Sequence, residues 1–469
     1  MTDAILEKPQ HSKDFRIRRF LNWFPMGLTY AFLYMGRYNL TVSKNALGDL
    51  MPKLDFGIIF GAGVITYAFS FLINGPLTDR VGGKRAILAG ALGSAVMNAL
   101  LGLMTYLILV KNTAINIVLV FSIIYSINMY FQSFGAVAIV KVNASWFHVR
   151  ERGVFGGIFG ILIAMGIYFA FDWGTAIVEA TQITITSDLN FLQNVLRNLV
   201  GVTAGKVDQT WWVFFIPSIL LFAFFMIELF LLKDRPGLAG FEDFDTADAS
   251  SGEEDEEFNL KKLLIKILTN KIIITIAFIE FCTGVLRQGI MHWYLIFTKE
   301  TGLSADHFMR AHWGLILMIA GSFGSMFAGL ISDKIFGSRR GPVAALFYGL
   351  MIVLTISMGF VLNLNPFVLG AIVSFMSLAV IGTHGMLSGT ATMDFGGRKG
   401  AATAVGLIDG FVYLGTGFQS ISLGYLLTKS WNYWSPFLVP FAAIGFILAV
   451  RIWHAFPHAK RRKEDKLKQ

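Results

Sequence analysis

The sequence predicts an all-α membrane protein with twelve transmembrane helices in two six-helix, pseudo-symmetric halves. Hydrophobic residues make up 55% of the 469 residues and charged residues only 15%, which is too little charge to cover a soluble protein of this size. Apolar stretches of about 20 residues, the length of a helix that crosses a bilayer, recur along the whole chain. Two pairs of similar segments also repeat at nearly the same offset, which indicates two related halves.

Twelve spans can be placed in order along the chain. They cover about 22–43, 56–77, 86–109, 114–140, 152–177, 211–232, 270–297, 311–332, 342–362, 366–391, 401–427 and 435–456. An even number of spans puts both termini on one side of the membrane. The loops after spans 2, 4, 8 and 10 carry more Lys and Arg than the odd-numbered loops, so both termini are predicted to be cytoplasmic.

The formal charge of +9 does not indicate nucleic-acid binding. The basic residues collect near the N-terminus, in alternate loops and in the tail from Lys460, which is the pattern of membrane topology. Cys282 is the only cysteine, so an internal disulfide and a thiol cluster for a metal are excluded. Because no catalytic triad, phosphate-binding loop or metal-ligand cluster occurs, we expect neither an enzyme nor a cofactor. The expected location is a bacterial inner membrane.

An acidic segment rich in small residues separates the two predicted halves. Residues 1–232 form the N-terminal half, 233–262 a flexible cytoplasmic linker, and 263–469 the C-terminal half with its basic tail. On the external side, "FLQNVLRNLV" within the loop 181–209 has apolar residues at helical spacing. This pattern predicts a short helix on the outer membrane surface or over the mouth of a pathway, without assigning its role.

Two landmarks repeat at an offset of about 250 residues, the relation expected between two halves of a transporter. "GPLTDRVGGKR" at 75–85 follows span 2, and "GLISDKIFGSRR" at 329–340 follows span 8. Arg37 in span 1 and Arg287 in span 7 stand at nearly the same offset. Chance could supply one of these matches, but hardly both.

The loop after span 2 resembles the conserved cytoplasmic loop of the major facilitator superfamily, G-x-L-x-D-R-x-G-x-K-R. "RERG" at 150–153 resembles that superfamily's second conserved loop. The resemblance implies the twelve-helix major facilitator fold. We expect a cytoplasmic gate in which acidic residues pair with basic ones and cap neighbouring helices; the alternative is that these charges only set topology. The predicted gating residues are Asp79, Arg80, Arg85, Arg152, Asp333 and Arg340.

Inserting an arginine near the middle of a membrane span costs roughly 3 kcal/mol of free energy, so such an arginine usually has a function. Tyr30, Tyr34 and Arg37 are spaced i, i+4, i+7 and share one face of a helix. Arg37 and Arg287, at corresponding places in the two halves, are predicted to form a clamp for a doubly charged oxyanion, because guanidinium binds phosphate bidentately. The alternative is that each arginine snorkels or pairs with Glu280.

"YAFLYMGRYN" in span 1 and "FCTGVLRQGIMHWY" in span 7 resemble the organophosphate:phosphate antiporter family, as do segments of spans 4 and 11. The resemblance implies a monomer that exchanges a small phosphorylated anion for inorganic phosphate across the lipid bilayer. It also implies that Arg37 and Arg287 hold the phosphoryl group and that Tyr30 and Tyr34 match family tyrosines; Gln132 in span 4 is a further predicted substrate-binding residue. Where the family's bacterial antiporters have a lysine in span 2 and a histidine in span 5, this chain departs from the pattern. The organic part of the substrate and the coupling mode therefore stay open.

Three more polar residues within the spans are candidates for a proton or substrate contact: Asp409, Glu280 and His384. Their alternatives are structural, as ion-pair, supporting or hydrogen-bonded packing residues. Two other functions remain open at this point. One is a proton- or sodium-coupled organic anion symporter, and the other is a transporter-like sensor that binds a phosphate ester.

Overall fold

The structure of the protein, a computed structural model, describes residues 11–148, 161–162, 164–185, 188–202, 207–244, 265, 268–337 and 339–455. At residues 76, 79, 144, 333 and 389–405 it describes the backbone alone. Helices dominate, and no β-strand occurs in the described ranges. The predicted all-α class is confirmed.

The helices are numbered here in chain order within the described ranges. They are α1 (Lys13–Leu47), α2 (Lys53–Val81), α3 (Gly83–Lys111), α4 (Ile117–Trp146), α5 (Gly174–Thr181), α6 (Phe191–Leu199), α7 (Trp212–Leu231), α8 (Lys271–Glu300), α9 (Phe308–Ala311), α10 (Trp313–Leu330), α11 (Arg340–Val361), α12 (Pro366–His384), α13 (Thr392–Lys429) and α14 (Trp434–Arg451). Short π-helical segments precede α5 at Phe169–Trp173 and follow α10 and α12 at Ile331–Ile335 and Gly385–Ala391.

Nine helices of the described part are long and apolar enough to cross a membrane: α2, α3, α4, α7, α8, α10, α11, α12 and α14. They correspond to predicted spans 2, 3, 4, 6, 7, 8, 9, 10 and 12, with ends that differ by up to seven residues from the predicted bounds. Span 1 lies within α1 and span 11 within α13, whereas residues 152–160 of span 5 lie outside the described residues. The chain is therefore a multi-pass membrane protein, and the number twelve stays a prediction.

Polar side chains begin several of these helices. Ser12 before α1, Asn116 before α4, Asn270 before α8 and Asn365 before α12 each accept hydrogen bonds from backbone N–H groups of the first turn. Such caps satisfy N–H groups that have no partner within the helix, so the sequence itself marks where these helices start.

The chain divides into two compact units. Unit 1 comprises residues 1–50, 73–256 and 311–318, and unit 2 comprises 51–72, 257–310 and 319–469. In unit 1, α3 packs against α4 and α7, and α1 packs against α7 and α4. In unit 2, α8 packs against α13, α14 and α12. The predicted division at the linker stays a prediction, because residues 245–262 lie outside the described residues.

Glycines bring helix backbones of unit 2 into contact. A Cβ added at Gly284 in α8 would fall well inside van der Waals contact of the Val412 carbonyl oxygen in α13. Gly57 and Gly61, four residues apart in the part of α2 that belongs to unit 2, lie against the backbone and side chains of α13 in the same way. Small residues at this spacing let membrane helices approach closely, so α13 is fixed between α8 and α2.

The short helix predicted in the external loop is present as α6. Asn190 and Gln193 form a reciprocal cap at its start. Arg197 donates to the carbonyl oxygens of Ala180, Gln182 and Ile183, which ties α6 to the end of α5. Four large apolar side chains of α6 are exposed, as expected of a helix at a membrane surface: Phe191, Leu192, Val195 and Leu199.

Candidate functional site

Arg37 lies on α1 in unit 1 and is fully buried. Its Nε donates to Gln132 Oε1 of α4 at 2.8 Å. The guanidinium carbon lies 4.7 Å from the ring centroid of Tyr34 and 5.9 Å from that of Tyr38. Tyr125 Oη also donates to the Arg37 carbonyl oxygen at 2.9 Å. Hydrogen bonds and aromatic faces therefore fix both the plane of the guanidinium and the helix that carries it.

A row of buried amides extends from Gln132 between α4, α3 and α1. Gln132 Nε2 donates to Asn128 Oδ1 at 3.3 Å, and Asn128 Nδ2 donates to the Gly36 carbonyl oxygen at 3.0 Å. Asn39 Nδ2 donates to Asn98 Oδ1 at 2.7 Å. A Cβ at Gly36 would lie 2.8 Å from Asn98 Nδ2, so a larger residue at this position would displace the Asn98 amide. The network anchors the arginine through neutral groups, and Asn98 had no predicted role.

The two predicted tyrosines join the same cluster. The rings of Tyr30 and Tyr34 meet edge to face at a centroid distance of 5.3 Å. Unit 1 thus brings together Tyr30, Tyr34, Arg37 and Gln132, four of the five residues predicted to bind substrate. Their proximity follows from the shared face of α1 and from the packing of α1 on α4.

Arg287, the fifth residue, lies on α8 in unit 2. Its guanidinium carbon is 5.9 Å from the ring centroid of Tyr413 on α13. Tyr413 meets Tyr67 of α2 edge to face at 4.6 Å, and Tyr67 meets Phe71 at the same distance. Aromatic side chains of α2 and α13 therefore lie beside the second arginine. One of them, Phe71, stands at the position where the resemblance places the lysine of the family's bacterial antiporters.

The three remaining polar candidates also lie in unit 2. Glu280 Oε2 on α8 lies 2.7 Å from His384 Nδ1 at the end of α12. Asp409 Oδ1 on α13 accepts from Ser388 Oγ at 2.5 Å, and Asp409 interacts electrostatically with His384, Glu280 and Arg287. The structure brings Glu280, His384, Asp409 and Arg287 into one cluster, although Glu280 and Asp409 are 129 positions apart in the chain.

The structure describes the predicted gating residues only in part. Arg152 lies outside the described residues, as do the side chains of Asp79 and Asp333. Arg80 and Arg85 are exposed, and Arg340 Nη1 donates to Ser332 Oγ at 2.7 Å. The gate therefore stays a prediction.

Sequence reasoning missed Asp234, which follows α7. Its Oδ1 accepts from the backbone N–H of Lys84 at 2.7 Å and so caps the start of α3, beside the left-handed Gly82 with φ 92°. The neighbouring Lys233 carbonyl oxygen accepts from Trp146 Nε1 at 2.9 Å. Gly82 and Gly83 in the conserved loop indicate that another part of the chain approaches the backbone closely here. They do not indicate that this part is Asp234.

Asp172 also had no predicted role. It lies in the π-helical segment Phe169–Trp173 and caps α10 within unit 1: Oδ1 accepts from Gly314 N at 2.6 Å and Oδ2 from Leu315 N at 3.1 Å. A negative charge at a helix N-terminus is favourable because the first N–H groups lack intrahelical partners. One indication of a distant cap lies in the sequence. His312 precedes α10, whereas the residues that usually cap a helix start are Ser, Thr, Asp or Asn.

The family model described as Major Facilitator Superfamily matches residues 26–420. A probable hexose phosphate transport protein of Chlamydia trachomatis is 26% identical over 98% of this chain and 96% of its own. A glycerol-3-phosphate transporter of Bacillus subtilis is 25% identical over 96% of this chain and 94% of its own. The membrane sensor protein UhpC of Salmonella typhimurium is 24% identical over 96% and 94%.

Among solved structures, a bacterial homolog of the human lysosomal transporter Spinster, in an inward-facing and unoccupied conformation, has a TM-score of 0.66 with this chain. The two are 16% identical, and the match covers 94% of this chain and 98% of that one. This likeness supports the major facilitator fold. The resemblance to the organophosphate:phosphate antiporter family is confirmed by the relatives, and the chain is a transporter and not an enzyme. From the match over residues 26–420, the chain belongs to the Major Facilitator Superfamily.

Proposed function

We propose that the chain is a secondary transporter that exchanges a small phosphorylated organic anion, such as glycerol-3-phosphate or a sugar phosphate, for inorganic phosphate by alternating access. Relatives named for hexose phosphate and glycerol-3-phosphate transport over nearly their whole length support the substrate class. The observation that carries the proposal is the fully buried Arg37, fixed by Gln132 and stacked on Tyr34.

The chemistry of this arginine suits a phosphoryl group. A guanidinium stays charged at any physiological pH and presents parallel N–H donors that match two phosphoryl oxygens. Because Gln132 engages Nε, the plane of the group is set before an anion arrives, so less conformational entropy is lost on binding. Tyr30 and Tyr34 add apolar walls with hydroxyl donors.

We propose that Arg287 completes the clamp from the second half of the repeat. Two arginines balance the two negative charges of a phosphate ester. The free-energy cost of placing the anion in the low-dielectric interior of the membrane protein is lower when its charge is neutralised in this way. Within unit 2, Tyr413 stands beside Arg287 as Tyr34 stands beside Arg37. This similarity supports equivalent roles.

The proposed oligomeric state, membrane location, topology and gating residues rest on the sequence patterns. The transporter is a monomer in a bacterial inner membrane, with twelve spans, cytoplasmic termini and two six-helix halves joined by residues 233–262. The gating residues are those of the two repeated loops and of the "RERG" segment.

The test is uptake of labelled phosphate into proteoliposomes that contain the purified protein. Vesicles are preloaded with unlabelled phosphate or left empty. Uptake only into loaded vesicles, inhibited by external glycerol-3-phosphate or hexose phosphates, is the expected result. Uptake into empty vesicles driven by a proton or sodium gradient would instead indicate a coupled symporter.

One observation favours a second function. The membrane sensor relative matches as much of the chain, at nearly the same identity, as the transporters do. A sensor would bind a phosphate ester tightly in lipid nanodiscs and give no flux in loaded vesicles.

A further inference from the structure

Three aromatic rings of unit 2 lie beside Arg287. Tyr67 meets Phe71 and Tyr413 edge to face, each at a centroid distance of 4.6 Å. The rings of Phe71 and Tyr413 lie 6.1 Å apart and are inclined by 30°. Tyr67 and Tyr413 are buried, whereas Phe71 is half-buried. Two rings therefore hold the third in place, and Phe71 is the one that keeps accessible surface.

The accessible surface of Phe71 does not belong to the side of α2 that meets lipid. Phe69 is 56% exposed, and it lies about 200° around the helix from Phe71 because successive residues are about 100° apart. Tyr67, which is 0% exposed, lies one turn before Phe71 on the same side of the helix. The Phe71 ring therefore faces away from the lipid-exposed side.

A carboxylate lies on the same face of α13 as Tyr413. Asp409 is four residues earlier, so the two side chains are neighbours about one helical turn, roughly 6 Å, apart. Asp409 is half-buried, and its Oδ1 accepts from Ser388 Oγ, which orients the carboxylate. A carboxylate can accept several hydrogen bonds, so it has capacity for a further donor. Phe418, which is 45% exposed, lies on the opposite side of α13, so Asp409 also faces away from lipid.

These groups match the parts of a sugar phosphate. The guanidinium carbon of Arg287 lies 5.9 Å from the ring centroid of Tyr413, and a guanidinium suits the phosphoryl group. A sugar ring has an apolar C–H face, which can stack on an aromatic ring, and an edge of hydroxyl groups, which can donate to a carboxylate. Phe71 offers the aromatic face and Asp409 the acceptor, and both are neighbours of Tyr413.

The same carboxylate disfavours a further negative charge on the substrate. Asp409 interacts electrostatically with Arg287, so a molecule held by Arg287 lies within the field of Asp409. A carboxylate on the organic part of such a molecule would be repelled. At a separation of about 8 Å and an effective dielectric constant of about 20, this repulsion weakens binding by about thirtyfold.

We propose that Phe71 and Asp409 form the subsite for the organic part of the substrate, and that this part is an uncharged sugar ring. The ring stacks on Phe71 and donates hydroxyl groups to Asp409, while Arg287 holds the phosphoryl group. Glycerol-3-phosphate lacks the ring face and binds more weakly, and a phosphate ester with an added carboxylate binds most weakly. This inference deepens the proposed function and rests on it, because it assumes that the phosphoryl group binds at Arg287.

The test is inhibition of labelled phosphate exchange in phosphate-loaded proteoliposomes by external glucose 6-phosphate, glycerol-3-phosphate and phosphoenolpyruvate. Each half-inhibition concentration is divided by that of unlabelled phosphate in the same preparation, so the ratio reports the contribution of the organic part. For the wild type we expect the lowest ratio with glucose 6-phosphate and the highest with phosphoenolpyruvate. If either of the other esters inhibited as well as glucose 6-phosphate, the proposal would be overturned without any variant.

Two variants assign the residues. Phe71→Leu stays apolar but loses the ring face, so the glucose 6-phosphate ratio should rise by about three- to tenfold, with little change for glycerol-3-phosphate. Phe69→Leu, on the opposite side of α2, is the matched control and should keep all three ratios. Asp409→Asn keeps an acceptor for Ser388 but loses the charge. Its glucose 6-phosphate ratio should rise by about tenfold while its phosphoenolpyruvate ratio falls, and a folding defect cannot produce these opposite changes.

The outcomes separate this inference from the proposed function. Wild-type ratios in both Phe71→Leu and Asp409→Asn, with phosphate exchange intact, would overturn the sugar subsite alone. Absence of phosphate exchange and of phosphate binding in folded wild-type protein would overturn the proposed function, and this inference with it.

Discussion

Replacing Gln132 by glutamate tests the phosphoryl site with almost no change of shape. Glutamate can keep the bond from Arg37 Nε at 2.8 Å but places a negative charge beside the guanidinium. A phosphate on the other edge of that guanidinium would lie about 6 Å from the new carboxylate. At an effective dielectric constant of 20, each unit of phosphate charge then costs about 3 kcal/mol, or about a hundredfold in half-saturation.

The assay is phosphate counterflow in loaded proteoliposomes, with folded protein verified by size-exclusion chromatography. Gln132→Met is the matched control, because it loses both side-chain hydrogen bonds of Gln132, to Arg37 and Asn128, yet adds no charge. We expect Gln132→Met to weaken binding by about tenfold, as one or two lost hydrogen bonds would, and Gln132→Glu to weaken it much more. A Gln132→Glu half-saturation equal to that of Gln132→Met would refute the reasoning.

Two predictions concern stability. Asp172→Asn keeps the shape of the α10 cap but removes its charge from Gly314 N, so we expect the free energy of unfolding to fall by about 1–2 kcal/mol in thermal denaturation; an unchanged melting temperature would contradict the capping role. Gly284→Ala places a methyl group against the Val412 carbonyl oxygen and should cost about 1–3 kcal/mol, seen as a lower yield of monodisperse protein. Gly406→Ala, with open space around it, is the control and should be neutral; equal behaviour of the two alanine variants would show that α8 and α13 are not in backbone contact.

The sequence could predict what depends on local periodicity and on the family. Tyr30, Tyr34 and Arg37 were expected on one face because helical spacing is fixed before any tertiary contact forms, and the ring and guanidinium distances bear this out. The superfamily was recognised from the loop at 75–85, whose charges and glycines stand at fixed spacings, and the family match confirms it.

The sequence could not predict pairings between distant helices. Asn98 and Asn128 appeared as isolated polar residues in apolar helices, and only the packing of α3 and α4 on α1 makes them supports for Arg37. Likewise, His384 is 104 positions from Glu280, and nothing local relates them. Such contacts depend on which helices are neighbours and on their rotation, and one sequence without its structure leaves both undetermined.

The central claim is that Arg37 and Arg287 hold the phosphoryl group. The most direct measurement compares labelled phosphate counterflow in phosphate-loaded proteoliposomes for the wild type, Arg37→Lys and Arg287→Lys at equal amounts of folded protein. Lysine keeps the charge but loses the planar pair of donors. The account predicts rapid exchange by the wild type and loss of most exchange in both variants, whereas wild-type exchange in either variant would contradict it.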